Sequence, residues 1–412
     1  MRVVYLHQYF LTPDMAGGTR SYEMARRLVR DGHEVHMVTT DREPAGNGPR
    51  WRETHEAGIH VHWARVPYRN DMGFLARMRA FLTFAFASIG RAAALRGDVI
   101  LATSTPLTIA IPALVVSAWK RVPFVFEVRD MWPDVPIAIG ALRNPLLVWL
   151  ARRLELITYH RARRVIALAP GFKDDIVAKG IPAEKVSVIS NGCDLELLAT
   201  ASGESAPRRD YPWLGHRKLV LFAGTVGQVN GVDYLVRLAA RVRAIDPEIR
   251  FVVIGEGRDV PKVRQRAAEA GLLDTSFFLF DAMPKRQIVP WLHAANLFVS
   301  LFTGPRVLWK DTVQNKFFDA LAAGKPIASN FDGWQARLAE RVGIGLTLDP
   351  TDDEGTAHRL VAALQNDDWL AGVPVRAAAL ARGEFDREHL YQKLRVLLES
   401  VVSRAGSDIA MA

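Results

Sequence analysis

GPRVLWKDTVQNKFFDALAAGKPIASN, residues Gly304–Asn330, reads as a polar loop, then an amphipathic helix from Asn315 to Ala323, then Gly324 closing the helix, Pro326 stopping it, and a short strand. A loop that feeds a helix is a ready anion site, because the first-turn N–H groups have no partner inside the helix and carry the positive end of its dipole. Asn315 and Lys316 stand in that first turn. One turn later the Asp319 carboxylate offers two oxygens for the two hydroxyls of a ribose. The alternative is a surface helix with a Lys/Asp pair at i,i+3.

Around this stretch, the 412-residue length exceeds one ordinary core and predicts two domains. The single cysteine, Cys193, excludes an intrachain disulfide framework and a cysteine zinc cluster, which fits a reducing, cytoplasmic setting. Met1–Leu6 enters a strand pattern directly and does not read as a signal peptide. The longest apolar run, Leu107–Trp119, contains Pro112 and falls short of the roughly 20 residues that cross a bilayer. Net charge is +9, with 26 Lys and Arg against 20 Asp and Glu over residues 1–205. Such a balance favours anionic lipid or phosphorylated ligands, and the lack of a zinc finger, RNP motif or lysine-rich arm argues against nucleic acid.

Short apolar strands alternate with helical stretches at Val3–Leu6, Glu34–Thr39, Asp98–Ala102, Phe124–Val128 and Arg164–Leu168, the pattern of a parallel sheet covered on both faces. Gly17 and Gly18 open the first helix, where missing side chains let a ligand phosphate approach the backbone. A polar segment, 203–217, reads as a linker. The cycle then restarts with Leu219–Ala223 running into Gly224-Thr225-Val226-Gly227 and Phe251–Ile254 running into Gly255-Glu256-Gly257-Arg258. Neither turn completes G-x-G-x-x-G, which argues against a nicotinamide or flavin cofactor. The expected α/β architecture is two Rossmann-like doubly wound domains, 1–202 and 218–385, with a ligand cleft between them and a C-terminal helix, 386–412, returning to the first domain.

With Gly17-Gly18, Gly224-Thr225-Val226-Gly227 and N-K-F-F-D-A-L-A-A-G-K-P on the page, the chain resembles a family-4 glycosyltransferase of the GT-B fold along nearly its whole length. H-Q-Y-F-x-T-P-D-M-A-G-G-T-R and E-V-R-D-M-W-P-D resemble more narrowly the WbuB-like branch, which includes N-acetyl-L-fucosamine transferases of bacterial O-antigen assembly. The resemblance implies retaining transfer from a nucleotide diphosphate sugar, UDP-linked, to a lipid-linked or saccharide acceptor, without a metal or other cofactor. The departing diphosphate must then be neutralised by protein cations and helix dipoles. Most members use an Arg and a Lys in the first loop of the second domain, where this chain has Thr225 and Asn230. Replacement donors are the Gly224–Gly227 backbone, the Thr225 hydroxyl, Lys316 and Arg258. Of the family's paired acids, Asp319 matches the ribose-binding member, and Asp311 stands at the spacing of the one that holds donor-sugar hydroxyls.

On the first domain many family members place a His near the Arg129 position, close to the donor sugar, and this chain supplies Arg129 and Asp130 instead, Arg129 read on a phosphate and Asp130 orienting the acceptor hydroxyl or the sugar; the alternative is a buried Arg129/Asp130 pair bracing the loop. His7, after the first strand, is a weaker candidate. A nucleotide-sugar 2-epimerase and a non-catalytic nucleotide-sugar binding subunit remain as alternatives.

Two further helical segments, Phe74–Leu95 and Leu146–Arg164, mix apolar residues with arginines (Arg77, Arg79, Arg91; Arg152, Arg153, Arg161, Arg163, Arg164). They read either as interfacial helices at an anionic membrane surface or as ordinary sheet cover.

Overall fold

The computed structural model describes residues 1–42, 44, 46–69, 72–196 and 206–410, with the side chains of 311 and 406–410 excepted. The chain divides into two compact units: Met1–Thr12, Thr19–Ser190 and Glu388–Ala412 form the first, Pro13–Gly18 and Asn191–Arg387 the second.

In the first unit the elements run β1 (Arg2–Leu6), α1 (Arg20–Arg30), β2 (Glu34–Asp41), β3 (Trp51–Glu56), β4 (Ile59–Arg65), α2 (Phe74–Ala94), β5 (Val99–Thr103), α3 (Ala110–Lys120), β6 (Phe124–Val128), α4 (Asp134–Ala138), α5 (Pro145–Arg161), β7 (Arg164–Ala167), α6 (Pro170–Ala178) and β8 (Val186–Val188). The second contributes α7 (Ala206–Asp210), β9 (Leu219–Ala223), α8 (Asp233–Ile245), β10 (Arg250–Ile254), α9 (Val260–Glu269), β11 (Phe277–Phe280), α10 (Lys285–Ala294), β12 (Leu297–Ser300), α11 (Asn315–Ala322), β13 (Ile327–Ser329), α12 (Trp334–Arg341), β14 (Gly345–Thr347), α13 (Asp353–Gln365) and α14 (Asp367–Glu384). The last helix, α15 (Arg387–Ala410), returns to the first unit, where Tyr391 Oη donates to Asp31 at 2.7 Å and Glu388 pairs with Arg30 at 2.6 Å.

The sheet orders are β3-β4-β2-β1-β5-β6-β7-β8 and β11-β10-β9-β12-β13-β14. Among the described residues only β3 runs antiparallel, as the outer arm of a hairpin with β4. That hairpin and the three-residue strands β8 and β14 escape a sequence reading because they are half-polar or too short for a period to register. The central strands are buried on both faces, as their continuous apolar runs require.

The polar segment read as a linker does not run free where it is described. Over 206–217, Leu214 is fully buried, Trp213 stacks on Phe278 at 3.6 Å, and Arg208 donates to the carbonyls of Gly215, Arg217 and Ala294. Arg208 serves packing through backbone carbonyls, which a composition argument does not see. Residues 203–205 lie outside the described residues.

Candidate functional site

In a parallel sheet the carboxyl ends of the strands lie along one edge, and loops gather there. In the second unit that edge is built from β9 and β10. Gly224 follows β9 at φ 147°, a conformation side chains avoid, and a Cβ there would stand 3.0 Å from Lys316 Nζ. Its N–H donates to Ile254 O at 2.9 Å, and Val226 N–H to Glu256 O at 2.8 Å, so the turns after β9 and β10 lie backbone against backbone. A Cβ on Gly255 would sit 1.9 Å from Gly224 O, which is why the second turn is glycine too.

Lys316, in the first turn of α11, reaches this edge from its own element. Its Nζ lies 4.5 Å from the centre of the Phe222 ring and 3.3 Å from Gln314 Oε1. Burial lowers its pKa to about 8, and the charge of Asp319 only partly offsets that. No carboxylate is bonded to it among the described residues; Asp319 instead accepts from Lys285 Nζ at 2.5 Å. The ammonium is thus aimed at the Gly224 turn, held by a ring face and an amide oxygen.

The start of α11 is fixed by Gln335, whose side chain accepts from Gln314 N at 2.8 Å and donates to Gln314 O at 3.2 Å. Asn315, exposed, accepts from Asn191 Nδ2 at 2.8 Å. Its own Nδ2 lies 3.1 Å from where a Gly18 Cβ would be, and Pro13–Gly18, Gly17 included, groups with this second unit. Thr225 is exposed and Gly227 half-buried on the β9 turn, with Asn230 N donating to Gly227 O at 2.9 Å. Arg258 is exposed after the β10 turn and makes no ion pair among the described residues. The Asp311 side chain lies outside the described residues.

Thus Gly224, Lys316 and the β10 turn come together, as do Gly18 and Asn315, while Asp319 is committed on one oxygen to Lys285. Lys285 and Gln335 are the residues that sequence reading missed. Lys285 opens α10 directly after Pro284, thirty-four residues from Asp319, and no local pattern links them.

In the first unit the corresponding edge carries His7 and Arg129. Arg129 does not pair with Asp130: its Nη1 donates to His7 Nε2 at 3.2 Å and its N–H to Ser104 Oγ at 3.0 Å, while Asp130, exposed, accepts from Thr105 Oγ1 at 2.6 Å. The buried ion pair is one residue pair away. Glu127 accepts from Arg20 at 2.8 Å and from Thr103 Oγ1 at 2.6 Å, and Arg20 also donates to the carbonyls of Ile189 and Ser190. Burial alone would raise the Glu127 pKa, but Arg20 and Arg129 hold it below the usual carboxylate value. His7 moves well below the usual imidazole range, first through burial and then through Arg129, so it is neutral at pH 7. With Nε2 accepting, Nδ1 carries the proton, and this Nδ1 and both amide atoms of Gln8 are buried without a hydrogen-bond partner among the described residues.

These paired sites fit what comparison of the chain with known proteins finds. Residues 16–192 match the Glycosyl transferase 4-like domain and 217–366 match Glycosyl transferases group 1. The chain carries the two domains of a GT-B glycosyltransferase. Among similar proteins are a probable glycosyltransferase, WbjE, of Pseudomonas aeruginosa, 26% identical over 75% of this chain and 78% of that one. A putative colanic acid biosynthesis glycosyl transferase, WcaI, of Escherichia coli is 22% identical over 66% of this chain and 71% of its own. The fold matches Anabaena Alr3699/HepE in complex with UDP and glucose at a TM-score of 0.72 and 18% identity, over 97% of this chain and all of that one. The narrower resemblance to the WbuB-like branch has no counterpart among these matches.

Proposed function

We propose that this glycosyltransferase moves a sugar from a UDP-linked donor, with retention of configuration and without a metal, to a lipid-linked or saccharide acceptor of a bacterial surface polysaccharide. The observation that carries the reading is Lys316, a partly desolvated cation aimed at a glycine turn with no carboxylate bonded to it among the described residues. A relative named for colanic acid biosynthesis and a fold neighbour solved with UDP and glucose support it.

In this mechanism the diphosphate lies across the Gly224–Gly227 turn and the amino end of α11, with the Thr225 hydroxyl, Asn230 and Arg258 as further donors and Gly17, Gly18 and Asn315 along the approach. Charge grows on the leaving phosphate as the glycosidic bond breaks, and Lys316 is positioned to hold it. Asp319, with its second oxygen, takes a ribose hydroxyl while Lys285 fixes the first. Arg129, Asp130, neutral His7 and Gln8 supply the acceptor side, with the leaving phosphate itself receiving the acceptor proton.

Docking at an anionic membrane surface fits the reading. Helix α5 has two distinct faces: Tyr159, against Phe126 of β6, and Glu155, paired with Lys179, are buried, while Leu146, Leu147, Trp149, Leu150 and Ile157 are exposed beside Arg152 and Arg153. No helix among the described residues is long and apolar enough to cross a membrane.

A thermal-shift and calorimetric panel of nucleotides and nucleotide sugars, followed by turnover on extracted lipid acceptors with and without chelator, tests the proposal. UDP binding with acceptor-dependent UDP release that chelator leaves unaltered is the expected result. Release that dies with chelator and returns with magnesium overturns the metal-free step.

A further inference from the structure

Gln314 is the N-cap residue of α11, with an extended backbone at φ −105° and ψ 126°. An N-cap side chain ordinarily accepts from the N–H groups of the helix it opens. The Gln314 side chain makes no such bond, and its Oε1 accepts from Lys316 Nζ at 3.3 Å instead. The backbone of the same residue is held on both sides by one buried amide: Gln335 Oε1 accepts from Gln314 N at 2.8 Å, and Gln335 Nε2 donates to Gln314 O at 3.2 Å. Gln335 stands in the first turn of α12, and the start of that helix is pressed on the loop before α11, where a Cβ on Gly333 would lie 2.7 Å from Trp309 O. A continuous path therefore runs from α12 through Gln335, the Gln314 backbone and the Gln314 amide to the Lys316 ammonium, which ends beside the Gly224 turn.

The chemistry of this path matters as much as its geometry. A carboxylate beside an ammonium orients it and neutralises it at once, so an anionic ligand has to displace a resident anion before it binds. An amide oxygen orients the N–H donors through its dipole and leaves the unit charge in place. Gln335 and Gln314 are both uncharged, and the carboxylate that acts on Lys316, that of Asp319, is bonded to Lys285 Nζ at 2.5 Å. The lysine is held in direction by neutral groups while the neighbouring acid is occupied elsewhere.

We infer that Gln314 and Gln335 are positioning residues of the transfer site: the two amides aim the Lys316 ammonium at the donor diphosphate without neutralising its charge, and position 314 has to be neutral for the site to work. The inference rests on the reading of Lys316 given under the proposed function and assigns that cation its support.

The test uses the full chain, isotope-labelled at the lysine Cε atoms for NMR, with the Lys316 signal assigned from Lys316→Met, and UDP as the ligand in calorimetry at pH 7. In the wild type Lys316 should titrate near pH 8. Gln314→Glu should move that titration up by about 1–3 units and weaken UDP about tenfold, because a carboxylate then stands where the amide oxygen was and the diphosphate must displace it. Gln314→Met should not raise the titration and should weaken UDP about fivefold, through loss of aim alone. Gln335→Met should weaken UDP by about the same factor, and the double variant Gln314→Met/Gln335→Met should be no weaker than either single one, because the second amide acts through the first. A Lys316 titration that Gln314→Glu leaves in place, or additive losses in the double variant, would overturn the inference; the Gln314 variants decide it alone if Gln335→Met does not fold. Unchanged UDP affinity in Lys316→Ala would overturn the donor reading and this role together. Weakened UDP in Lys316→Ala beside unchanged binding in the Gln314 and Gln335 variants would overturn this role alone.

Discussion

At the carboxyl end of β6, in the first unit, Glu127 is closed by Arg20 and Thr103, and the Arg20 guanidinium is filled by two carbonyls. At the carboxyl end of β9, in the second, Lys316 has a ring face and one amide oxygen. Both are strand-end charges in one parallel-sheet design. The difference is that one constellation is complete without a ligand and the other keeps a cation in reserve. A completed buried pair resists removal of either member, whereas a partly desolvated lone cation costs stability and is retained for what it binds.

The largest effect that sharpens this contrast is on the completed pair. Arg20→Met leaves Glu127 buried without its counter-ion and should destabilise the protein by about 3–5 kcal/mol, read by denaturant unfolding. A loss as small as that of an exposed Arg→Met change would mean the pair is not braced as described. Lys316→Ala should lower turnover by about 10²–10³-fold, with a smaller change in binding of the bare nucleoside, because the charge matters most as the diphosphate departs. Equal losses in both would make Lys316 a ground-state contact only.

Asp319→Asn should weaken nucleotide binding by about 1–3 kcal/mol, a charge-assisted hydrogen bond lost. Unchanged UDP affinity in a folded variant would leave Asp319 as no more than an anchor for Lys285.

The pH dependence follows from the lowered Lys316 pKa. The protonated form is the useful one, so kcat/KM should be flat below about pH 8 and fall as pH rises through that value. A profile still level near pH 9.5 (roughly 1.5 units higher) would contradict the assignment. The smallest effect has the opposite sign. Because burial disfavours the charged form, folding loses stability at neutral pH where Lys316 must stay protonated, and regains it only as pH rises toward the unfolded-state value. Lys316→Met should therefore raise Tm at pH 7 by about 2–4 °C while lowering turnover as Lys316→Ala does. A lower Tm would mean that the Phe222 contact outweighs the desolvation.

The sequence by itself determined the alternation of buried strands and helices, and hence two doubly wound units, because a strand covered on both faces must be apolar throughout and shows that in a handful of residues. It also determined the helix from Asn315 with its Lys316 and Asp319, since helix start, closing glycine and stopping proline are local signals. Which charges complete one another was decided only by the tertiary structure. Arg20 and Glu127 are 107 residues apart, Lys285 and Asp319 34, Asn191 and Asn315 124. No periodicity connects such pairs, and Arg129 beside Asp130 in sequence proved to bond His7 instead. The outward leucines of α5 were settled in the same way. Amphipathic composition is the same whichever face turns inward, and the burial of Tyr159 against Phe126 and of Glu155 against Lys179 fixes the orientation.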